Sequence, residues 1–470
     1  MNKKLLVALI ALILVLVLTL SITACSLWAS INSTSNSSTS SKNDDNNIST
    51  PDDPQRDPID YSNTFWLVDY FFRNFSIFDI DYEQAMLAAI RTYVEATGDK
   101  YAVFYTPEEL EALFTENNGD LYGIGVQVIF DYEEHFMEIV LIMPDSPALS
   151  HLQIGDKVTH IYVDGEKIAL ADVVAENIAK SKEIYPTYTE EELNNVACYD
   201  AFQYAVSNLK GAEGTYAKFT VDRDGEAHEM EIQRAKVKTV SVSCKTSIKD
   251  NTVGIVSISQ FDLTTPVQFK ECMDKLIAQG CNKFVFDVRN NPGGDLASLV
   301  AVVSTLLEKD DVILTTKDSS GKIETTKVRT VNYSASSGYS TCNVTNSDIG
   351  KYKDYEFVVL ANENSASAAE LFTAVLRDHE LAQIVGTKTY GKGSVQSILD
   401  LSAYGSEYYG GLRLTTKLYF PPCGVGYDGG IGIEPNYPVE LEGEAAETHF
   451  YKLTEEIDNQ LQKAVSLLID

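Results

Sequence analysis

Two short segments place a serine and a lysine in settings that favour nucleophilic chemistry. Residues 364–370 read Asn-Ser-Ala-Ser-Ala-Ala-Glu and precede an apolar helical pattern. Ser367 is therefore expected at a helix N-terminus, where unpaired N–H groups and the helix dipole favour negative charge. Lys392 lies between two glycines in residues 391–396, Gly-Lys-Gly-Ser-Val-Gln. A lysine accepts the proton of a serine only if burial lowers its pKa from about 10.4 toward neutrality.

Simpler explanations exist for both segments. Ser367 could cap an ordinary helix, and Lys392 could be an ordinary turn lysine. Residues 386–392 copy the start of a phosphate-binding loop, but that motif needs Ser or Thr next and the chain has Gly393. No Gly-x-Ser-x-Gly elbow surrounds Ser367, and of six histidines only His379 is near it in sequence. A Ser-Lys pair is therefore favoured over a Ser-His-Asp triad.

A glycine pair forms a second element of the site. Residues 283–289 predict a buried strand, and residues 290–295 continue as Asn-Asn-Pro-Gly-Gly-Asp. Glycines directly after a strand let backbone N–H groups approach a ligand closely. The alternative is a plain strand-to-helix turn.

In this order, the three segments resemble the C-terminal processing (tail-specific) serine peptidases. That family carries Asp-Leu-Arg-Asn-Asn-Pro-Gly-Gly, Ser-Ala-Ser-Ala-Ser-Glu and Phe-Gly-Lys-Gly-x-Val-Gln type runs. The resemblance implies Ser367 as nucleophile and Lys392 as general base. It also implies that Gln396, taken to fall one helical turn after the lysine, orients that lysine. The chain departs from the family at Ala369, where Ser is common, and at Tyr390, where Phe is usual.

The same resemblance implies an oxyanion hole. One half is the amide of Gly293 or Gly294, and the other is the amide of Ala368, directly after the nucleophile. Amides placed this way stabilise a developing oxyanion by about 3 to 4 kcal/mol each.

The start of the chain predicts where the protein works. Lys3 and Lys4 precede an apolar run over residues 5–20, and residues 21–25 read Ser-Ile-Thr-Ala-Cys. The pattern resembles bacterial lipoprotein precursors, which implies a signal peptide over residues 1–24 and lipidation of Cys25 at the extracytoplasmic face of the cell membrane. A transmembrane helix is the alternative, but the run is short for the roughly 20 residues required. Residues 25–60 are rich in Ser, Asn, Thr and Asp and predict a disordered tether.

Composition excludes some partners and leaves others open. A net charge of −31 without a basic patch makes nucleic acid an improbable partner. Six cysteines remain after Cys25, as disulfides or buried thiols, and their spacing suggests no metal site. We expect no cofactor, and self-association stays open.

The predicted fold class is a multi-domain α/β protein. It combines a helical N-terminal segment, a PDZ-like β-barrel domain and a crotonase- or ClpP-like α/β peptidase core, since strands and helices alternate there. The predicted boundaries are 61–115 for the helical segment, 116–236 for the PDZ domain with an insertion near 171–200, 237–440 for the core, and 441–470 for a C-terminal segment whose helix spans 453–468.

Residues 121–128 resemble the carboxylate-binding loop of a PDZ domain and the strand that follows it. The peptide-binding residues implied are Tyr122, Gly123, Ile124 and Gly125. PDZ domains add an extended peptide to a sheet edge and hold its terminal carboxylate on backbone amides. The insertion borders the expected groove.

Together these features predict a membrane-tethered serine endopeptidase that recognises the C-terminal tails of protein substrates and cleaves with a Ser-Lys dyad. The alternative is a catalytically inactive, peptide-binding lipoprotein scaffold. Retention of both dyad residues and the glycine pair speaks against it.

Overall fold

The computed structural model describes residues 61–117, 120–334 and 341–469. Cys25, the signal peptide and the tether lie outside the described residues, so the predictions for them stay predictions. The chain forms two compact units, which divide between Phe104 and Tyr105. The described helices are α1 (Ser62–Phe75), α2 (Tyr82–Ala96), α3 (Pro107–Asn117), α4 (Leu170–Ile184), α5 (Glu190–Leu209), α6 (Thr265–Ala278), α7 (Leu296–Ser304), α8 (Ala368–Asp378), α9 (Glu444–Glu447) and α10 (Asn459–Ile469).

The strands of the described chain alternate with these helices, which makes the fold mixed α/β as predicted. They are β1 (Val103–Tyr105), β2 (Asp120–Gly123), β3 (Val126–Phe130), β4 (Met137–Ile142), β5 (Lys157–Val163), β6 (Glu166–Ala169), β7 (Tyr216–Arg223), β8 (Glu226–Gln233), β9 (Ala235–Lys238), β10 (Val242–Thr246), β11 (Val253–Ile258), β12 (Lys283–Asp287), β13 (Val312–Asp318), β14 (Ile323–Lys327), β15 (Val331–Ser334), β16 (Thr341–Val344), β17 (Glu356–Ala361), β18 (Ala382–Gly386), β19 (Ser394–Asp400), β20 (Gly411–Phe420) and β21 (Tyr437–Pro438).

The first unit contains α1 and α2. No side chain of α1 is buried, and α2 buries only Val94. Residues 65–78 expose many large apolar side chains, among them Trp66 at 61% and Phe75 at 68%. The Asp81 side chain accepts a hydrogen bond from Gln84 N at 3.0 Å and so caps α2.

The centre of the second unit is a six-stranded sheet in the order β10-β11-β12-β17-β18-β21. Only β10 runs antiparallel to its neighbour, so β11, β12, β17 and β18 end at the same edge. Their side chains alternate between two apolar layers, one shared with α6, α7 and α8 and the other with α10. A separate antiparallel sheet contains β19, β20, β13 and β14.

A third sheet follows the order β3-β4-β5-β7-β8, with β6 paired to β5. This order has two free ends, so within the described chain the predicted closed barrel is wrong and the sheet is open. The predicted insertion contains α4 and α5, which pack together and against this sheet. The short strands β2 and β9 pair beside it.

The C-terminal helix begins later than its sequence pattern indicated. Residues 455–457 form a turn instead, because the Glu455 carboxylate accepts hydrogen bonds from Ser247 Oγ and from Ile248 N. Asp458 then accepts a hydrogen bond from Leu461 N at 2.9 Å, which favours a helix start at Asn459.

Five cysteines, Cys198, Cys244, Cys272, Cys281 and Cys423, are free thiols in the structure. The side chain of Cys342 lies outside the description. None of the helices in the described ranges has the length and apolar character needed to cross a bilayer.

Candidate active site

Three neighbouring strands of the central sheet deliver the predicted catalytic segments. The glycine loop follows β12, the segment of Ser367 follows β17, and the loop of Lys392 follows β18. These strands are parallel and adjacent, so all three segments leave the sheet at its C-terminal edge. Ligands of open α/β sheets bind at this edge.

Ser367 has an unusual backbone conformation directly before α8. Its φ is 54° and its ψ −115°, a region that side-chain-bearing residues rarely adopt. Such strain is a feature of functional turns, and a strained strand-to-helix turn also carries the serine of a nucleophile elbow, here without the Gly-x-Ser-x-Gly sequence. Ser367 is half-buried and therefore accessible to a substrate.

Ser365 differs from Ser367 in its burial and its hydrogen bonds. It is fully buried. Its hydroxyl donates to Val288 O at 2.7 Å and accepts from Asn362 N at 2.9 Å. Its role is to join β12 to β17, which leaves Ser367 as the serine available for chemistry.

The Glu370 carboxylate joins the serine segment to the lysine loop. Its Oε2 accepts hydrogen bonds from Ser367 N at 2.9 Å and from Lys392 N at 2.8 Å. Its Oε1 accepts from Thr389 Oγ1 and from Gly391 N, both at 2.6 Å. Burial raises the pKa of Glu370, and these hydrogen bonds oppose that rise. The two predicted catalytic residues therefore share one acceptor atom.

Glu370 was present in the run used for the family resemblance, but no role was assigned to it. A signal for it existed, since Ser-x-x-Glu at a helix start is the capping-box pattern. In the structure, the bond from Ser367 N to the Glu370 side chain is one half of that box.

The glycine pair lies against the nucleophile, as predicted. A Cβ built on Gly293 would lie 2.7 Å from Ser367 Cβ and 2.8 Å from Ala366 O. The Gly293 amide donates to Asn291 Oδ1 at 2.8 Å. Within the described chain no hydrogen bond is formed by the amides of Gly294 and Ala368, so these two are available to an oxyanion.

Asn291, which the sequence did not single out, holds this loop. It is fully buried. Its carbonyl accepts from Ala366 N at 2.9 Å, and its side-chain amide donates to Ile258 O at 2.9 Å. One asparagine thus fixes the glycine loop both to β11 and to the serine segment.

Tyr419 on β20 is a second residue that the sequence did not indicate. Its hydroxyl donates to Lys392 O at 2.6 Å. Its ring meets that of Tyr427 edge to face, with centroids 5.7 Å apart. Burial raises the pKa of both phenols, so both stay protonated at neutral pH. Tyr419 and Glu370 together engage both backbone polar groups of Lys392.

Glycines on both sides of Lys392 allow a close approach to residues 424–432. A Cβ on Gly391 would lie 2.5 Å from Gly430 Cα, and one on Gly393 would lie 2.9 Å from Asp428 N. A strand, β19, follows the lysine where a phosphate-binding loop would open a helix. The nucleotide-loop alternative is therefore wrong.

Gln396 lies on β19, so the expectation of helical spacing from Lys392 is wrong. Its Nε2 donates to Ser394 Oγ at 3.1 Å and to Thr415 Oγ1 at 3.2 Å. The proposed role of Gln396 in orienting Lys392 stays a prediction.

The predicted carboxylate-binding residues span the end of β2 and its link to β3. Tyr122 and Gly123 pair with β9, and Ile124 is buried beneath the third sheet. Gly125 has φ 80°, and a Cβ there would lie 2.3 Å from Ser146 Cβ. In the described chain, the amides of Ile124 and Gly125 form no backbone hydrogen bond.

The described residues contain no group of His, Cys, Asp or Glu arranged to hold a metal ion.

Comparison with known proteins gives the same assignment as the motifs. The model of peptidase family S41 matches residues 252–439, which include the glycine pair, Ser367, Lys392 and Gln396. The chain is 29% identical over 350 residues to a probable CtpA-like serine protease of Staphylococcus haemolyticus, covering 74% of this chain and 59% of that protein. It is 28% identical over 360 residues to a probable CtpA-like serine protease of Staphylococcus aureus strain N315, covering 77% of this chain and 61% of the relative. The chain thus spans about three fifths of these relatives.

Two solved structures are also similar. The photosystem II D1 C-terminal processing protease aligns with a TM-score of 0.41 and 22% identity, covering 81% of this chain and 88% of that one. A putative S41 protease of Bacteroides fragilis aligns with a TM-score of 0.48 and 15% identity, covering 86% of this chain and 97% of that one.

The PDZ domain and the lipid anchor stay predictions. The family model and the named relatives confirm the resemblance that the serine, lysine and glycine motifs established: residues 252–439 match the model of peptidase family S41, and the chain is similar to proteins named as probable CtpA-like serine proteases.

Proposed function

We propose that this protein is a serine endopeptidase that uses Ser367 as nucleophile and Lys392 as general base. One observation carries the proposal: the amides of Ser367 and Lys392 donate to the same oxygen of Glu370, at 2.9 and 2.8 Å. The two amide nitrogens therefore lie no farther apart than the sum of these distances. Ser367 and Lys392 are therefore close together in the fold, and acyl transfer by a serine needs a general base beside the nucleophile.

The proposed reaction follows from these positions. The Ser367 hydroxyl attacks the carbonyl carbon of a peptide bond, and its proton passes to the neutral Lys392 amine. The amides of Gly294 and Ala368 stabilise the oxyanion of the tetrahedral intermediate. The lysine returns the proton to the leaving amine, and an acyl-enzyme forms. Water, deprotonated by the same lysine, then hydrolyses the ester and frees Ser367.

The third sheet supports a role in substrate recognition. Strand β3 is at a free end of the sheet, so its outer edge can accept an added strand. The loop of residues 122–125 ends at that strand, and within the described residues the amides of Ile124 and Gly125 form no backbone hydrogen bond. We place the C-terminal carboxylate of the substrate on these amides, as in a PDZ domain.

Helix α5 borders the inner end of this groove. Phe202 of α5 meets Phe130 of β3 at a centroid distance of 6.1 Å, and Asn194 Nδ2 donates to Tyr132 O at 3.1 Å. The insertion therefore contributes one wall of the proposed groove. The substrate class that this groove would bind is the C-terminal tails of proteins.

Membrane attachment is proposed through lipidation of Cys25, on the signal-peptide pattern alone. The enzyme would then act at the extracytoplasmic face, on a tether of about 35 residues. Cys25→Ser is expected to block maturation or to release the protein from membranes in detergent partitioning. Unchanged size and retention would favour a transmembrane segment.

Cleavage of an unstructured protein tests the enzymatic proposal. Wild type is expected to cleave, Ser367→Ala to be inactive, and Ser365→Ala to keep measurable activity, reduced by loss of the buried hydrogen bonds of its hydroxyl. Absence of Ser367-dependent cleavage, with binding of tailed peptides intact, would instead establish an inactive peptide-binding scaffold.

A further inference from the structure

The Glu370 carboxylate is surrounded entirely by hydrogen-bond donors. The side chain is fully buried. Each oxygen accepts two hydrogen bonds, from Ser367 N and Lys392 N on one oxygen and from Thr389 Oγ1 and Gly391 N on the other. A buried charge is tolerated only when its hydrogen-bonding capacity is met in this way. Burial raises the pKa of Glu370, and the four donors oppose that rise.

The two backbones that Glu370 holds both need external support. Ser367 is in a strained conformation, which persists only where its surroundings enforce it. Lys392 lies between two glycines, the residues with the greatest backbone freedom. A carboxylate that binds both amides removes this freedom and fixes the separation of the two residues at once.

A separate contact supports the same view. The carbonyl of Lys392 accepts a hydrogen bond from the buried Tyr419 hydroxyl at 2.6 Å. Thr389 connects the carboxylate onward, because its hydroxyl also accepts a hydrogen bond from Ile433 N at 2.7 Å. The lysine backbone is thus held from both sides by side chains of the core.

We propose that Glu370 is a positioning residue, whose single carboxylate sets the distance between the nucleophile and the general base. The proposal rests on the Ser367–Lys392 chemistry proposed above. Glu370 touches neither substrate nor the reacting atoms, and it acts only through the two backbones. Substitution of Glu370 should therefore lower turnover without weakening substrate binding.

Glu370→Gln is the main test, because it keeps the size of the side chain. An amide group has one acceptor oxygen, so it must turn an NH2 group toward one pair of donors. We expect kcat to fall about 100-fold, as for a displacement of about 1 Å in an active site, with KM unchanged. Labelling of Ser367 by a small fluorophosphonate probe should slow in parallel.

Glu370→Asp separates geometry from charge. Aspartate keeps the charge but is one methylene shorter, so it cannot reach both segments, and we expect a loss of kcat comparable to that of Glu370→Gln. Wild-type kcat in Glu370→Asp would overturn the proposal, because charge alone would then suffice.

Thr373→Val is the matched control. Thr373 is equally buried on the same helix and donates to Ala369 O at 2.8 Å, away from both catalytic segments. It should cost some thermal stability and leave kcat unchanged. Thr389→Val tests the same proposal if the Glu370 variants do not fold. It removes one hydrogen-bond donor to the carboxylate. We expect kcat to fall about tenfold, which corresponds to the loss of one hydrogen bond.

The outcomes separate the two proposals. Suppose that wild type cleaves and Ser367→Ala does not, while folded Glu370→Gln keeps the wild-type kcat or changes only KM. The positioning role is then wrong, and the proposed Ser367–Lys392 peptidase activity is unaffected. If Glu370 variants do not fold and Thr389→Val keeps wild-type kcat, the positioning role is likewise wrong. If Ser367→Ala cleaves like wild type, the peptidase proposal itself fails.

Discussion

In the described part of the chain, the catalytic edge of the central sheet and the loop of residues 122–125 both contain amides without a backbone hydrogen bond, but the two regions fix these amides by different means. At the catalytic edge, buried polar side chains hold the backbone: Asn291 holds the glycine loop, and Glu370 holds Ser367 and Lys392. At the loop, the backbone is held by other backbone groups: Met143 N donates to Gly125 O and Ala148 N to Ile124 O, both at 3.0 Å, and the Ile124 side chain is buried.

The difference follows from what each region must do. Chemistry needs groups placed to within fractions of an ångström, and directional hydrogen bonds supply that precision. Recognition of a tail by its carboxylate needs only an open concavity with free donors, which backbone pairing and packing can shape without buried polar side chains. Substitutions at the catalytic edge should therefore reduce turnover, and those at the loop should reduce binding.

Gly293→Ala, at the catalytic edge, is expected to give the largest loss of turnover. The new Cβ would lie 2.7 Å from Ser367 Cβ and 2.8 Å from Ala368 N, at a φ of 101°. Displacement of the oxyanion amides should lower kcat about 100- to 1000-fold and abolish probe labelling. Gly280→Ala is the control, because Gly280 has a similar φ of 99° with open space around it. Equal activity of the two variants would contradict the assigned site.

Gly125→Ala should have a smaller effect, and the effect should be on KM instead of kcat. The Cβ would lie 2.3 Å from Ser146 Cβ and would force the loop amides apart. Loss of one hydrogen bond to a carboxylate should raise KM for substrates with a free C-terminus about tenfold. Probe labelling and cleavage of amidated substrates should not change.

Gly225→Ala is the matched control for the loop, since Gly225 has φ 86° and no neighbour within 4 Å. Equal cleavage of free and amidated tails by wild type, with Gly125 freely replaceable, would show that the third sheet does not read C-termini.

The smallest effect concerns the stability of the third sheet. Asp156 accepts hydrogen bonds from Arg223 Nε at 2.7 Å and Arg223 Nη2 at 2.6 Å. Burial raises the pKa of Asp156, but the bonds from Arg223 and from Gln153 N outweigh it and lower the pKa overall. The lowered pKa means that the stabilisation is present above the unfolded pKa of about 3.9 and is lost as the pH falls through the folded value.

Asp156→Asn in a Ser367→Ala background should therefore lower the free energy of unfolding in urea by about 1 to 2 kcal/mol at pH 7, and this difference should shrink below about pH 4. Asp164→Asn, at an exposed turn of the same sheet, should have no comparable effect. A difference that does not depend on pH would exclude the ion pair as its source.

The sequence predicted the parts of the site that depend on residue type. A serine at a helix start, a lysine between glycines and a glycine pair after a strand each have a local signature, and the structure brings all three to one edge. The buried strand predicted over residues 283–289 is observed as β12, because buried parallel strands have such a continuous apolar composition.

The parts that the sequence did not predict depend on partners distant along the chain. Asn291 and Tyr419 belong to the site through contacts with Ala366 and Lys392, and no spacing rule indicates such contacts. Gln396 was assigned helical spacing because four residues make one turn, whereas pairing with β20 makes its segment a strand. The C-terminal helix was started too early because its pattern does not show that Ser247 and Ile248 hold Glu455.

The central claim is that Lys392 acts as the base for Ser367, and the rate of Ser367 acylation tests it most directly. Wild type, Lys392→Ala and Lys392→Arg are treated with a fluorophosphonate probe, and labelling of Ser367 is followed by mass spectrometry of the intact protein. An arginine cannot give up its proton in a protein, so both variants should be equally inert although Lys392→Arg keeps the positive charge. Labelling of Lys392→Arg at the wild-type rate would contradict the account.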